Sequence, residues 1–113
     1  MMLNVQTALR AAGVPGYRGA FRSMPGQEEP PAQYCAYTLS RTPTWAADDA
    51  DRAERVRAFL HLYSLNSPED AQTAIEAAMK AEGFALMRAN DDYDHDAGTY
   101  QVLSEWEGVK HVH

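Results

Sequence analysis

The chain has 113 residues and a formal net charge of −6 at pH 7. One domain spanning residues 1–113 is the simplest organisation, and folding is expected to bury roughly 65% of the surface of the unfolded chain. A pI of about 5.0 argues against a general nucleic-acid binder, which needs a basic face to neutralise phosphates. The single cysteine, Cys35, excludes an intrachain disulfide, and no apolar run approaches the ~20 residues of a membrane span. The N-terminus has no charged segment followed by an apolar one, as a signal peptide would, so the expected compartment is the cytoplasm.

The first periodic stretch runs from Asn4 to Ala12. Val5, Ala8, Leu9 and Ala12 fall on one helical face, and Gly13 with Pro15 ends the helix. Tyr17 to Arg22 carries a weak strand pattern. Met24 to Gln33 holds Pro25, Gly26, Pro30 and Pro31 and reads as a loop. Tyr34 to Arg41 is a strand, with Cys35, Tyr37 and Leu39 on one face and Tyr34, Ala36 and Thr38 on the other. Thr42 to Glu54 contains Pro43 and the cluster Asp48, Asp49 and Asp51. It reads as a hairpin arm with an irregular tip, while Ala46 to Arg55 also suits a helical turn or two.

The stretch from Arg55 to Gly83 organises the rest. Val56, Ala58, Leu60 and Leu62 alternate with Arg57, Phe59, His61 and Tyr63, the period of a strand with one face on a core. The aromatic second face implies a cover of its own. Ser67 is placed to cap a helix, Pro68 suits its first position, and Glu69 and Asp70 favour the positive end of the dipole. Ala71, Ala74, Ile75, Ala78 and Met79 form one apolar stripe, and Gly83 closes a helix expected over Pro68 to Glu82. Phe84 to Ala89 resumes a strand, Asn90 to Gly98 is an acidic turn, and Thr99 to Glu107 is the last strand, with Tyr100, Val102 and Trp106 on one face. Gly108 to His113 is expected to fray. The fold expected is therefore α+β: a mostly antiparallel sheet with two helices packed on one face and an extended hairpin arm.

Tests for chemistry mostly return structural readings. Asp92, Asp94 and Asp96 have the spacing of the first calcium-loop ligands, but the loop's glycine position is Ala97 and its bidentate glutamate position is Leu103. The acidic run therefore reads as a solvated turn. His61 lies mid-strand as a packed or partner-facing residue, and His111 and His113 sit at the tail. No histidine pair has the spacing of a zinc protease helix. Cys35 stands in a strand, away from the settings that activate thiols. The glycines Gly13, Gly16, Gly19 and Gly26 read as turns. Tyr34, Tyr37, Trp45, Phe59, Tyr63, Tyr100 and Trp106 concentrate in strands and arm. A sheet with helices on one side leaves a second face, where aromatics suit a protein–protein interface. The candidates for subunit contact are Tyr34, Tyr37, Trp45, Phe59 and Tyr63.

The run Gln33-Tyr34-Cys35-Ala36-Tyr37 after a proline-rich loop, the strand closing on His61-Leu62-Tyr63-Ser64, the helix opening at Ser67-Pro68-Glu69-Asp70-Ala71, and the segment from Asn90 to Tyr100 followed by a strand closing on Trp106 together resemble the phage tail terminator and tail completion proteins, small minor tail proteins of long-tailed phages and prophages. The likeness covers about residues 30 to 110. It implies a structural virion protein without catalytic residues, cofactor or metal. It also implies a homo-oligomeric ring, commonly a hexamer, that caps the tail tube and joins it to the head–tail connector protein. Assembly in the bacterial host cytoplasm and a final place in the tail of the virion would follow. The long arm from Ala46 to Glu54 and the polar closing strand depart from the family pattern. DNA must slide through such a ring without sticking, so one of two acidic loops, Asp48, Asp49 and Asp51 or Asp91, Asp92, Asp94 and Asp96, is expected to face the channel. A head–tail joining subunit and a small monomeric metal- or ligand-binding α+β domain using the acidic turn and His95 are the competing readings.

Overall fold

The computed structural model describes residues 2–45 and 52–112, with the backbone alone for residues 44, 45, 52, 111 and 112. In chain order it comprises α1 (Val5–Ala12), β1 (Gly16–Arg18), β2 (Gln33–Trp45), β3 (Arg52–Ser64), α2 (Glu69–Ala81), β4 (Ala85–Asp94) and β5 (Thr99–Val112). The strands form one sheet in the order β1-β2-β3-β5-β4. Only the β1–β2 pair is parallel. This is the expected α+β architecture.

Both helices end in the same way. The N–H of Gly13 bonds to the Arg10 carbonyl and that of Val14 to the Leu9 carbonyl, with Gly13 at φ 76°. At the end of α2, Gly83 bonds to Lys80 and Phe84 to Met79, with Gly83 at φ 99°. This is the Schellman arrangement, which satisfies helix-end carbonyls and turns the next apolar residue inward. Val14 and Phe84 are accordingly buried. The helix starts differ. Asn4 caps α1, its Oδ1 accepting from the Thr7 N–H at 3.0 Å. Ser67, expected to cap α2, does not: Pro68 occupies the cap position without a side-chain bond. A proline at the cap has no polar side chain, so Glu69 and Asp70 supply the favourable charge there.

Register divides the sheet cleanly. Cys35, Tyr37, Val56, Ala58, Leu60, Leu62, Val102 and Trp106 point to one face and are buried beneath Val5, Ala8 and Leu9 of α1 and Ala71, Ile75 and Met79 of α2. Each large side chain taken from water contributes about 1.5–3 kcal/mol. The core's polar groups are paired: Trp106 Nε1 donates to Ser104 Oγ at 2.9 Å, and the Tyr37 hydroxyl donates to Gln6 Oε1 at 3.0 Å. Gly16 sits inside β1 rather than in a turn. A Cβ there would lie 2.6 Å from Leu9 Cδ1, so glycine is what lets β1 lie close to α1.

Two boundaries depart from expectation. β4 runs on to Asp94 through the acidic segment read as a turn, leaving a tight reversal before Thr99. β4 is an edge strand, so its aspartates pair through backbone while the side chains of Asp91 and Asp92 stay exposed to water. The segment expected to fray from Gly108 continues β5 instead, with Val112 opposite Arg52. Backbone pairing to β3 carries the strand on, and at Gly108 the missing Cβ leaves room for the Leu3 side chain, whose Cδ2 a Cβ would meet. Beyond the row Arg41–Val56–Gly108, three paired strands carry on with no buried residue among those described. This tongue accounts for a longest axis of 53 Å. The tip of the expected arm, residues 46–51, lies outside the described residues.

Candidate interaction surface

No helix among the described residues covers the second face of the sheet. Period-two alternation sends Tyr34, Ala36 and Thr38 of β2, Arg57, Phe59, His61 and Tyr63 of β3, and Gln101, Leu103, Glu105 and Glu107 of β5 to this side. Register aligns them in rows: Ala36, His61, Leu103 and Asn90 form one, and Thr38, Phe59, Glu105 and Arg88 the next.

An aromatic wall rises at one side of these rows. Tyr34 and Tyr63 stack with ring centroids 4.8 Å apart, Tyr63 stacks on His61 at 4.0 Å, and Tyr17 meets Phe21 edge-on at 5.2 Å and Tyr34 at 5.9 Å. Offset and edge contacts of this kind hold rings in fixed orientation. A polar relay locks the histidine as well. Its Nε2 lies 2.9 Å from Gln101 Oε1 and its Nδ1 3.0 Å from the Tyr63 hydroxyl. With the amide oxygen accepting, Nε2 carries the proton and Nδ1 accepts from the tyrosine. Burial pushes the Tyr34 and Tyr63 hydroxyls above their ordinary range, helped at Tyr34 by its phenolic neighbours Tyr63 and Tyr17 and at Tyr63 by Cys35.

Between this wall and Arg88 and Asn90 on β4 lies a groove of about 560 Å3 floored by Ala36, Phe59, His61 and Leu103. Phe59 and Leu103 are 41% and 45% exposed, which is unusual for large apolar side chains at the centre of a sheet. Tyr34 and Tyr63 form the ridge between this groove and a second depression of about 550 Å3 beneath Pro30 and Pro31. Along the groove's other border runs a ladder of ion pairs. Arg55 reaches Glu107 at 2.9 Å and Arg88 reaches Glu105 at 3.1 Å, while Arg57 lies between the two carboxylates at 3.7 and 3.8 Å.

Of the residues singled out in the sequence, Tyr34, Phe59 and Tyr63 come together here. Tyr37 does not: it faces the helices and is 8% exposed, so it is a core residue and no candidate for contact. Trp45 ends β2, and its side chain lies outside the described residues, as do Asp48, Asp49 and Asp51. Asp91, Asp92, Asp94 and Asp96 stand on or beside the β4–β5 hairpin. Asp94 Oδ1 accepts from the N–H groups of Asp96 and Ala97 at 3.0 and 3.1 Å, so this carboxylate shapes the turn. Among the described residues no three His, Cys, Asp or Glu side chains are grouped to hold a metal ion. Cys35 is fully buried, and burial pushes its thiol up to about 12. No helix among the described residues is long and apolar enough to cross a membrane.

Sequence reading missed Tyr17, Phe21, Leu103 and the guanidinium ladder. Tyr17 arrives through a three-residue parallel strand, too short to announce itself by periodicity. The ladder was traceable in principle, since Arg55 and Arg57 share the parity of Phe59. Compared with models of known protein families, the sequence matches none, and no curated protein matches it as a relative.

Proposed function

We propose that this chain is a non-enzymatic, ring-forming virion subunit of the tail terminator or tail completion type, capping the tail tube and meeting the head–tail connector. The observation that carries the reading is the sheet with one face sealed by both helices and the other bearing an apolar, aromatic-walled groove. Preorganised aromatics in a half-exposed groove are what a protein interface uses for its central contacts. The unbacked tongue of β2, β3 and β5 adds a second surface, because strands without a packed face gain stability only from a further layer. The resemblance in the order of sequence motifs supplies the tail assignment. A head–tail joining subunit would use the same surfaces.

The test is solution mass by light scattering behind a sizing column, with negative-stain images of the peak. A closed ring of defined size, commonly six subunits, is the expected result. A monomer at every concentration that also fails to cap purified tail tubes would end the proposal. A reading from another class is favoured by one feature: 560 Å3 is also the size of a small-ligand pocket. Saturable binding of a small ligand, or a loss of stability with chelator, would move the assignment there. The acidic loops carry a further consequence. One of them faces the channel, and reversing the charge of both should lower infectivity; normal titres would exclude a channel role for either loop.

A further inference from the structure

Among the described residues, Leu3 is the one residue other than glycine with a positive φ, 51°. An L side chain in that region crowds its own backbone, so the conformation persists only where surrounding contacts hold it. Here the contacts are specific. The Leu3 N–H donates to the Glu82 carbonyl at 3.0 Å, and the Asn4 N–H donates to Glu82 Oε1 at 3.0 Å. Asn4 in turn caps the start of α1, and Glu82 stands at the end of α2. The Leu3 methyls lie against Gly108 of β5: a Cβ on that glycine would collide with Cδ2 and sit 3.3 Å from Cδ1. Leu3 thus ties both helices to one point on β5.

That point is where the sheet changes character. Gly108 belongs to the row Arg41–Val56–Gly108. Up to this row the helix-side residues Trp106 and Val56 are buried; past it Val109 is 53% exposed, and none of the described side chains of the tongue is buried. Three strands without a packed layer have little stability of their own, so what steadies the tongue is its attachment at this row. Val56 holds on from within the sheet. Leu3 holds on from outside it, in a strained conformation, and grips a residue that has no side chain with which to anchor itself.

We infer that Leu3 and Asn4 form a releasable latch on the root of the tongue. Closed, Leu3 fills the notch over Gly108 and fixes the tongue to the helix layer. Open, Leu3 gives up its positive φ, the notch empties, and the tongue moves on the row Arg41–Val56–Gly108 as a hinge. The strain offsets part of what the two hydrogen bonds contribute, which places opening well below global unfolding. The inference goes beyond the ring reading and does not rest on it, since a lone subunit has the same latch. A partner that grips the tongue at one angle would shift the latch toward the state with that angle, and the latch would set that partner's affinity in return.

The test is amide hydrogen exchange read by NMR on the full chain, at a concentration where light scattering gives one mass for every variant. In the wild type, the Leu3 and Asn4 amides should exchange well ahead of those of the core pair Leu62 and Val102; equal protection at the two places would overturn a releasable latch. Leu3→Ala empties the notch, and Gly108→Ala crowds it from the other side. Each should speed exchange at the tongue pairs Thr42 with Arg55 and Glu54 with Lys110 at least about tenfold more than at Leu62 and Val102. The double variant should be no looser than either single one, because both changes act on one contact. Leu3→Gly loses the same side chain as Leu3→Ala but takes a positive φ freely, so its Asn4 amide should exchange more slowly than that of Leu3→Ala. Acceleration equal at tongue and core would mean a general loss of stability and overturn the latch, as would tongue exchange unchanged in both single variants. An Asn4 amide no slower in Leu3→Gly than in Leu3→Ala would overturn the part assigned to strain.

Discussion

The two faces of the sheet come from the same strands and differ by a single residue of register, yet they are held by different forces. On the covered face, Ala58, Leu62, Val102 and Trp106 are at most 2% exposed. Their contribution is collective, arising from apolar area removed from water and from close packing. On the open face, the side chains stay half in solvent and are fixed by one another: Tyr34 by Tyr63, Tyr63 by His61, His61 by Gln101, and the arginines by Glu105 and Glu107. Side chains already ordered in the free subunit lose little more freedom when a partner arrives. One face therefore makes the fold, and the other keeps its side chains ordered without a packed layer among the described residues.

The largest expected effect sets the two faces against each other directly. Trp106→Ala removes the largest fully buried side chain and should lower unfolding free energy by about 3–5 kcal/mol in a urea titration. Phe59→Ala, one strand away on the open face, should cost within about 1 kcal/mol and yet abolish assembly at concentrations where the wild type is complete. A Phe59→Ala variant as unstable as Trp106→Ala would mean that the open face belongs to the subunit's own core, and the distinction between the faces would fail.

The covered face also has a pH signature of its own. The Cys35 thiol ordinarily ionises near 9.0 and is pushed up to about 12 in the fold, burial being the main cause. The folded state thus holds its proton where the unfolded state has released it. Stability from this group is complete below about pH 9 and is lost as pH rises toward 12, because the unfolded chain binds fewer protons across that window. Tyr34 and Tyr63, raised above 10.0 chiefly by burial, act in the same direction at the upper end. Denaturant midpoints from pH 8 to 11 should fall steadily, and Cys35→Ala should flatten the first part of that fall. An identical slope in the variant would assign the alkaline loss to the tyrosines alone. The same burial should keep the thiol inert to alkylating reagents until the chain unfolds.

Much of this division was legible in the residues. Alternation from Val56 to Tyr63 separated core from open face, and Gly13 and Gly83 marked both helix ends because few other residues suit the left-handed turn they make. Tyr37 shows how a readable signal is lost. Its parity with Cys35 placed it in the core, but its aromatic type invited an interface role. The acidic stretch of β4 misled for another reason: Asp and Asn disfavour strands locally, and pairing of Asn90 to Asp94 with β5 overrides that preference. Tyr17 and Phe21 were out of reach, since their place beside Tyr34 depends on a parallel contact between segments far apart in the chain.

The smallest effect concerns the ion-pair ladder, and it separates the faces by their response to salt. Glu107 Oε1 takes Arg55 Nε at 2.9 Å and Arg57 Nε at 3.7 Å, with the arginine side chains about half exposed, at 48% and 49%. Pairs this open to water contribute about 0.2–1 kcal/mol at low ionic strength, and Arg57 keeps Glu105 at 3.8 Å when Glu107 is neutralised. Glu107→Gln should therefore cost about 0.5 kcal/mol in dilute buffer and nothing measurable in about 1 M salt, where the screening length falls to roughly 3 Å. Trp106→Ala should cost the same in both, because apolar burial is not weakened by simple screening. A Glu107→Gln loss that persists at high salt would mean that the ladder packs as well as pairs, its arginine stems covering apolar surface in the way the helices do on the other side.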